Sequence, residues 1–141
     1  MPDALTDEVR AFLLEGTRTG KLGTLMPNGW PHVMPIWFVL DGEEVVFSTG
    51  RDTVKGRYIR RDGRVSLCVD DERPPYAYVH VRGRARIDEQ SDLLEWTTRI
   101  AHRYVGPEQA EAYGRRNAVP TELLVRIRPE RVIAEFDVAA W

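Results

Sequence analysis

The sequence predicts a small, mainly β protein: a barrel of six or seven mostly antiparallel strands with helices inserted late, folded as one domain over residues 1–141. Three observations predict it. Short apolar runs are separated by the hairpin dipeptides Asn28-Gly29 and Asp41-Gly42, which accept positive φ. Residues 76–87 alternate, with Tyr76, Tyr78, His80, Arg82, Arg84 and Arg86 on one face and Ala77, Val79, Val81, Gly83, Ala85 and Ile87 on the other. The chain is 141 residues long, 43% hydrophobic and 30% charged, which suits a single globular core.

Taken in order, Thr6 caps a first helix, with Asp7 and Glu8 in its first turn where the helix dipole favours anions. Leu5, Val9, Phe12 and Leu13 share a face, and Gly16 stops it. Residues 21–26 form a strand, and Pro27-Asn28-Gly29 turns the chain. Residues 30–40 form a long second strand, in which Pro31 and Pro35 demand an irregular or edge position because neither donates to a ladder. Residues 43–48 return as a third strand. A cationic helix follows from about Thr53 to Arg61, ended by Asp62-Gly63. Residues 64–69 and 76–87 are strands across a polar loop. Ser91 or Asp92 opens a helix with Leu93, Trp96, Thr97, Ile100 and Tyr104 on one face. Gly106-Pro107 breaks it, and Pro107 starts a second short helix. Residues 122–127 and 131–136 close the chain as a strand pair around Arg128-Pro129-Glu130-Arg131.

Composition removes several function classes. Formal net charge is -2, from 20 basic and 22 acidic residues, which argues against a nucleic-acid partner. The single cysteine, Cys68, cannot form an intrachain disulfide, and its apolar run reads as a buried structural thiol. His32, His80 and His102 are scattered, with no Cys or carboxylate at ligand spacing, so no metal site is expected. No secretory leader and no membrane-length apolar run is visible, so a cytoplasmic location is expected, with no membrane partner. No nucleophile elbow, Walker or dinucleotide glycine motif is present.

The segment from Phe47 to Asp62 carries the chemistry. Ser48 and Thr49 place hydroxyls at a strand end, Thr53 opens the helix, and Lys55 and Arg57 lie in its first turns. Free N–H groups and the dipole favour an anion there, so the expected guest carries a phosphate. Lys and Arg are the usual phosphate partners. Gly56 costs the helix about 1 kcal/mol against Ala, which a close approach of ligand or backbone would explain.

The order of these pieces resembles a known family. Gly23-Thr24-Leu25, Asn28-Gly29, Pro35-Ile36-Trp37-Phe38, Phe47-Ser48-Thr49, Thr53-Val54-Lys55-Gly56-Arg57, Val65-Ser66-Leu67-Cys68-Val69-Asp70 and Tyr76-Ala77-Tyr78-Val79 are similar to the pyridoxamine 5'-phosphate oxidase-like and flavin reductase-like split β-barrel group, and within it to the actinobacterial branch that uses the deazaflavin coenzyme F420. The resemblance implies a homodimer with two cofactor sites at the subunit interface. It implies that Lys55 and Arg57 meet the cofactor phosphate beside Ser48 and Thr49, with Thr53, Gly56 and Arg61 close by. The tricyclic ring would lie along Met34, Pro35, Ile36 and Trp37, and Tyr76 and Tyr78 would reach in from the other subunit. Arg60 or Arg61 would bind the acidic tail of the coenzyme, and the other would pair with Asp62 or Asp70. Thr53 and Tyr58 depart from the family pattern, which favours Arg or Lys and Asn at those positions.

A chain without acid–base machinery of its own still makes an enzyme if the cofactor carries the reaction. The expected activity is hydride transfer from F420H2 to a conjugated small-molecule acceptor, held roughly 3–3.5 Å from the donating carbon. Tyr78, His80 or solvent would supply any proton. The alternatives are an FMN-dependent oxidase or reductase on the same fold, or a non-catalytic carrier of F420 or flavin. A haem-binding relative is a further class, for which no histidine offers an obvious axial ligand. The substrate pocket is expected among the late helices and the C-terminal tail, around Trp96, Tyr113 and Trp141, and its sequence carries no readable substrate code.

Overall fold

A computed structural model describes residues 3–140; Trp141 lies outside them. The elements are α1 (Asp7–Leu14), β1 (Gly20–Leu25), β2 (Pro31–Ile36), β3 (Val39–Asp41), β4 (Glu44–Gly50), α2 (Val54–Arg61), β5 (Arg64–Asp71), β6 (Ala77–Asp88), α3 (Leu93–Val105), α4 (Pro107–Asn117) and β7 (Glu122–Glu135). The caps stand where the sequence puts them. Thr6 accepts from Val9 N–H, Thr53 from Gly56 N–H, and Asp92 from Leu94 and Glu95 N–H.

All strand pairs are antiparallel, in the order β2-β1-β5-β6-β7-β4-β3. The outermost strands of that order, β2 and β3, are joined through Trp37 and Phe38 alone. Ile36 and Val39 can therefore be no more than about 11 Å apart. The sheet must curl until its two ends nearly meet, which is the barrel. Its interior holds Leu22, Phe38, Val45, Phe47, Leu67, Val69, Val79, Val81, Val125 and Ile127, each at 1% exposure or less. α1 adds Val9, Phe12 and Leu13 to this core. A second, smaller layer lies outside the barrel, where Val46 and Leu124 pack against Trp96 of α3.

Three expectations change. The long strand over 30–40 is two strands, because Phe38 turns into the core and the chain passes from one end of the sheet to the other. β2 pairs only with β1, so Pro31 and Pro35 sit on an edge strand as their missing donors require. The terminal strand pair is one continuous strand of 14 residues. Its Arg-Pro-Glu-Arg segment is a bulge rather than a turn: Pro129 faces Gly83 and Arg131 faces Arg82, so Glu130 is the extra residue. A side chain at Gly83 would collide with the Arg128 carbonyl that this bulge presses against it. Cys68 also differs from expectation. Leu67 and Val69 take the inward positions, and Cys68 lies half-buried on the outer face, where burial and then Asp70 push its thiol pKa up.

Candidate functional site

Barrel closure positions the site. Phe38 N–H donates to the Tyr104 hydroxyl at 3.1 Å, and that hydroxyl donates to the Arg18 carbonyl at 2.8 Å. Arg103 donates to the carbonyls of Phe38, Leu13 and Gly16 at 2.7, 2.6 and 3.1 Å. α3 thus ties the closing segment to the end of α1. Trp37 stacks on Tyr104 with ring centroids 5.1 Å apart and planes 3° apart, yet stays 38% exposed.

Against this closure lies a cavity of about 240 Å³. Pro35, Ile36 and Trp37 form one stretch of its wall, and Ser48 of β4, Lys55 of α2, Thr97 and Ile100 of α3 and Asn117 of α4 form the rest. Glu122, the first residue of β7, completes it. Strand parity explains the set. Val45 and Phe47 point into the barrel, so Val46 and Ser48 point out toward α3; Leu123 and Val125 point in, so Glu122 and Leu124 point out.

Five residues singled out in the sequence are therefore together: Pro35, Ile36, Trp37, Ser48 and Lys55. The others do not line this cavity. Met34 is exposed on β2, two positions before Ile36. Thr49 is 3% exposed, and its hydroxyl hydrogen-bonds that of Thr53 at 3.1 Å. Thr53 also donates to the Gly50 carbonyl at 2.7 Å while capping α2. A Cβ at Gly56 would collide with that same Gly50 carbonyl. Backbone approach, not a ligand, accounts for this glycine: Thr49, Thr53 and Gly56 clamp the start of α2 onto the end of β4.

The four cations of α2 also separate. Arg60 donates to the Arg51 carbonyl at 2.9 Å and Arg61 to the Leu25 carbonyl at 2.7 Å. Neither pairs with an aspartate: Asp62 holds Arg64 at 2.7 Å and Asp70 holds Lys21 at 3.2 Å. Among the described residues, Lys55 and Arg57 enter no ion pair. Lys55 is half-buried at the cavity, and Arg57, two positions on, is exposed and faces another way. Tyr76 is exposed with φ of 65°, and Tyr78 is half-buried on β6 opposite Asp70 and Glu135; neither lines the cavity.

Glu122 is the residue the sequence reading missed. A charged residue at the head of an apolar strand reads as a solvated end, and its neighbours come from four distant segments. Here burial raises its pKa, while the Ser48 hydroxyl and the Lys55 ammonium beside it pull the other way. The cavity thus holds an unpaired cation, a hydroxyl, a half-buried carboxyl and one aromatic wall.

Two further polar atoms lack partners. Thr24 Oγ1 and His32 Nδ1 are buried without hydrogen bonds among the described residues, and the two residues face each other across the β1–β2 ladder. The His32 ring meets Tyr58 of α2 edge-on at 5.6 Å. A larger groove of about 540 Å³ crosses β1, β5, β6 and β7 and includes Ser66, Arg82 and Arg131. It contains none of the residues that the sequence marks for a cofactor, so the smaller cavity is the better candidate. A volume of 240 Å³ lies below the roughly 300–1,000 Å³ of sites that enclose a whole ligand. It is the size of one end of such a ligand, and Pro35 and Ile36 of the edge strand β2 lie at its rim. Among the described residues, no cluster of three or more His, Cys, Asp or Glu is placed to hold a metal ion, and no helix is long and apolar enough to cross a membrane.

Comparison with known proteins adds to this geometry. A family model described as pyridoxamine 5'-phosphate oxidase matches residues 5–136. Among solved structures, a conserved hypothetical protein of Mycobacterium tuberculosis is 27% identical, with a TM-score of 0.79 over 95% of this chain and 87% of that one. An F420 reductase is 28% identical, with a TM-score of 0.70 over 87% of this chain and 94% of that one. The haem storage protein of Vibrio cholerae shares the fold at 19% identity, with a TM-score of 0.74 over 98% of this chain and 100% of that one. A search of curated proteins returns no match.

Proposed function

The chain belongs to the pyridoxamine 5'-phosphate oxidase family, and on that premise we propose that it is an F420H2-dependent oxidoreductase acting on a conjugated small-molecule acceptor. One observation carries the reading: the unpaired Lys55 and the Ser48 hydroxyl share a cavity with the Pro35–Trp37 wall. A charge-assisted contact to phosphate suits the first pair. The edge position of β2 leaves backbone groups beside Pro35 free for a ring edge. Similarity to a solved F420 reductase favours the deazaflavin.

When bound in its reduced form, the cofactor supplies the hydride. The residues of the chain bind and orient. Lys55 and Ser48 hold the phosphate end, while Arg57, which faces away from the cavity, adds positive charge on the solvent side of α2. Trp37, fixed by Tyr104, sets the wall against which the ring and acceptor lie. Thr97 and Ile100 limit the acceptor on the α3 side and exclude water. The site is completed by a second copy of the chain, with Tyr76 and Tyr78 reaching into the partner's cofactor site.

FMN also carries a phosphate, so an FMN-dependent enzyme on the same residues is the second reading. Titration of the intrinsic tryptophan fluorescence with F420 and, separately, FMN tests both. Preferential binding of F420, followed by oxidation of F420H2 with quinone, enone or tetrapyrrole acceptors, is the expected result. Tight FMN and weak F420 would move the protein to the flavin reading. Binding without turnover across that panel would make it a carrier.

A further inference from the structure

Glu122 has no role in the reading above, and its position is odd for one. A carboxylate beside the cation that is to receive a phosphate opposes that phosphate electrostatically. The residue lines the same cavity as Lys55 and Ser48, on the sheet face that α3 covers. Its backbone is held in the β4–β7 ladder opposite Gly50, and its Oε1 lies close enough that a Cβ on Gly50 would come within 3.9 Å of it. Its carboxyl thus lies against the end of β4, over the start of α2. No ion pair neutralises it among the described residues, since Lys55 is near but beyond salt-bridge distance.

We propose that Glu122 is a proton-holding group coupled to the cofactor site, such that a phosphate arriving at Lys55 draws one proton from solvent onto the Glu122 carboxyl. This rests on the reading of Lys55 as the phosphate cation. The charged groups that face Glu122 are few. Lys55 comes from α2 on the cavity side, and a second depression of about 200 Å³, which Glu122 also lines, brings Arg51, Asp88 and Glu89. Asp88 is committed to Arg126 at 2.7 Å. Ser48 and Asn117 are neutral. In the free protein the carboxylate is favoured by a hydrogen bond from the Ser48 hydroxyl and, after it, by the charge of Lys55. A phosphate held by both residues withdraws both and adds a negative charge within the same low-dielectric space.

The sign follows. Occupation raises the Glu122 pKa above its value in the free protein, so binding takes up a proton. Below the free-protein pKa the carboxyl is already neutral and affinity is highest; between the free and bound values binding takes up the proton and affinity falls with rising pH; above the bound value no proton is taken up and affinity is lowest. Burial already raises the free-protein value, which brings this window toward neutral pH.

The test is binding rather than turnover. Affinities of FMN and of F420 are measured by tryptophan fluorescence across pH 5–9 for the wild type and for E122Q, which keeps the shape and removes the titration. A phosphomonoester titrates near pH 6 itself, so the comparison between the two proteins, not the raw slope, is the readout. The wild type is expected to lose up to about tenfold affinity per pH unit more than E122Q within the window. E122Q should match or exceed wild-type affinity at the high-pH end. Isothermal titration in two buffers of different ionisation enthalpy should show proton uptake in the wild type and less in E122Q. Parallel pH profiles and equal proton uptake in the two proteins would overturn the proposal while leaving the cofactor reading intact. Failure of the folded wild type, checked by circular dichroism, to bind either cofactor would overturn both.

Discussion

Lys55 is the residue on which the reading turns. It is half-buried at the cavity and unpaired, whereas Arg60 and Arg61 on the same helix already hold backbone carbonyls. Lys55→Ala should weaken F420 or FMN by about 1–3 kcal/mol, the usual worth of a hydrogen bond to a charged group, read by fluorescence titration. Arg61→Ala should have a smaller effect, because its guanidinium is held on Leu25 at the end of β1. Equal losses would show that the whole helix face, not the cavity, carries the phosphate. The cations and the hydroxyl at Ser48 were legible in the sequence because they are local: strand end, turn and helix start lie within ten residues. Two local signals had another cause. Thr53 and Gly56 sit beside the cations but serve the capping and close packing of α2. Glu122 was not legible, since nothing in the spacing between residues 48, 55 and 122 says that β4 and β7 are neighbours.

At the scale of elements, helix propensity and packing make opposite predictions for Gly56. Ala is the better helix former by about 1 kcal/mol. A Cβ there would collide with the Gly50 carbonyl, and forcing extra volume into a packed contact costs about 1–3 kcal/mol. Because the collision is with backbone, packing wins: Gly56→Ala should lower the denaturation midpoint and weaken cofactor binding with it. The layer between β7 and α3 depends on a buried charge. Arg126 is 5% exposed and donates to Asp88 and Asp41, each at 2.7 Å, with Trp96 stacked over its guanidinium at 4.9 Å. Removing one side of such a pair leaves a buried charge alone, so Arg126→Met should destabilise by roughly 3–5 kcal/mol in urea unfolding. Burial pushes the Asp88 carboxyl up, but hydrogen bonds from Ser91, Gln90 and Arg126 outweigh it and hold the pKa well below the usual carboxylate range. The folded value lies below the unfolded one. This stabilisation is therefore complete above about pH 4 and lost as pH falls further. Acid titration of stability should show that loss in the wild type and much less of it in Asp88→Asn. The strand boundaries that sequence misplaced have the same origin as this layer. Phe38 and Pro129 sit where a strand meets a neighbour distant in sequence, and such meetings leave no period-two signature.

At the scale of the molecule, the barrel closes through Trp37 and Phe38 without a ladder between β2 and β3, so β2 remains an edge. That edge carries large apolar side chains in the open: Trp30 at 69% exposure, Val33 at 58% and Met34 at 43%. Soluble chains usually blunt such edges with charge or cover them. Nothing in residues 3–140 covers this one, and it borders the cavity whose volume is too small for a whole cofactor. One partner satisfies both deficits: a second copy that covers β2 would bury the apolar strip and close the cofactor groove in the same step. The protein is accordingly expected to be a homodimer by light scattering. Val33→Glu, which places a charge in that strip without touching the barrel core, should shift it toward monomer and weaken cofactor binding in parallel. A stable monomer with undiminished affinity in that variant would separate the two deficits and place the missing part of the cofactor site within a single chain.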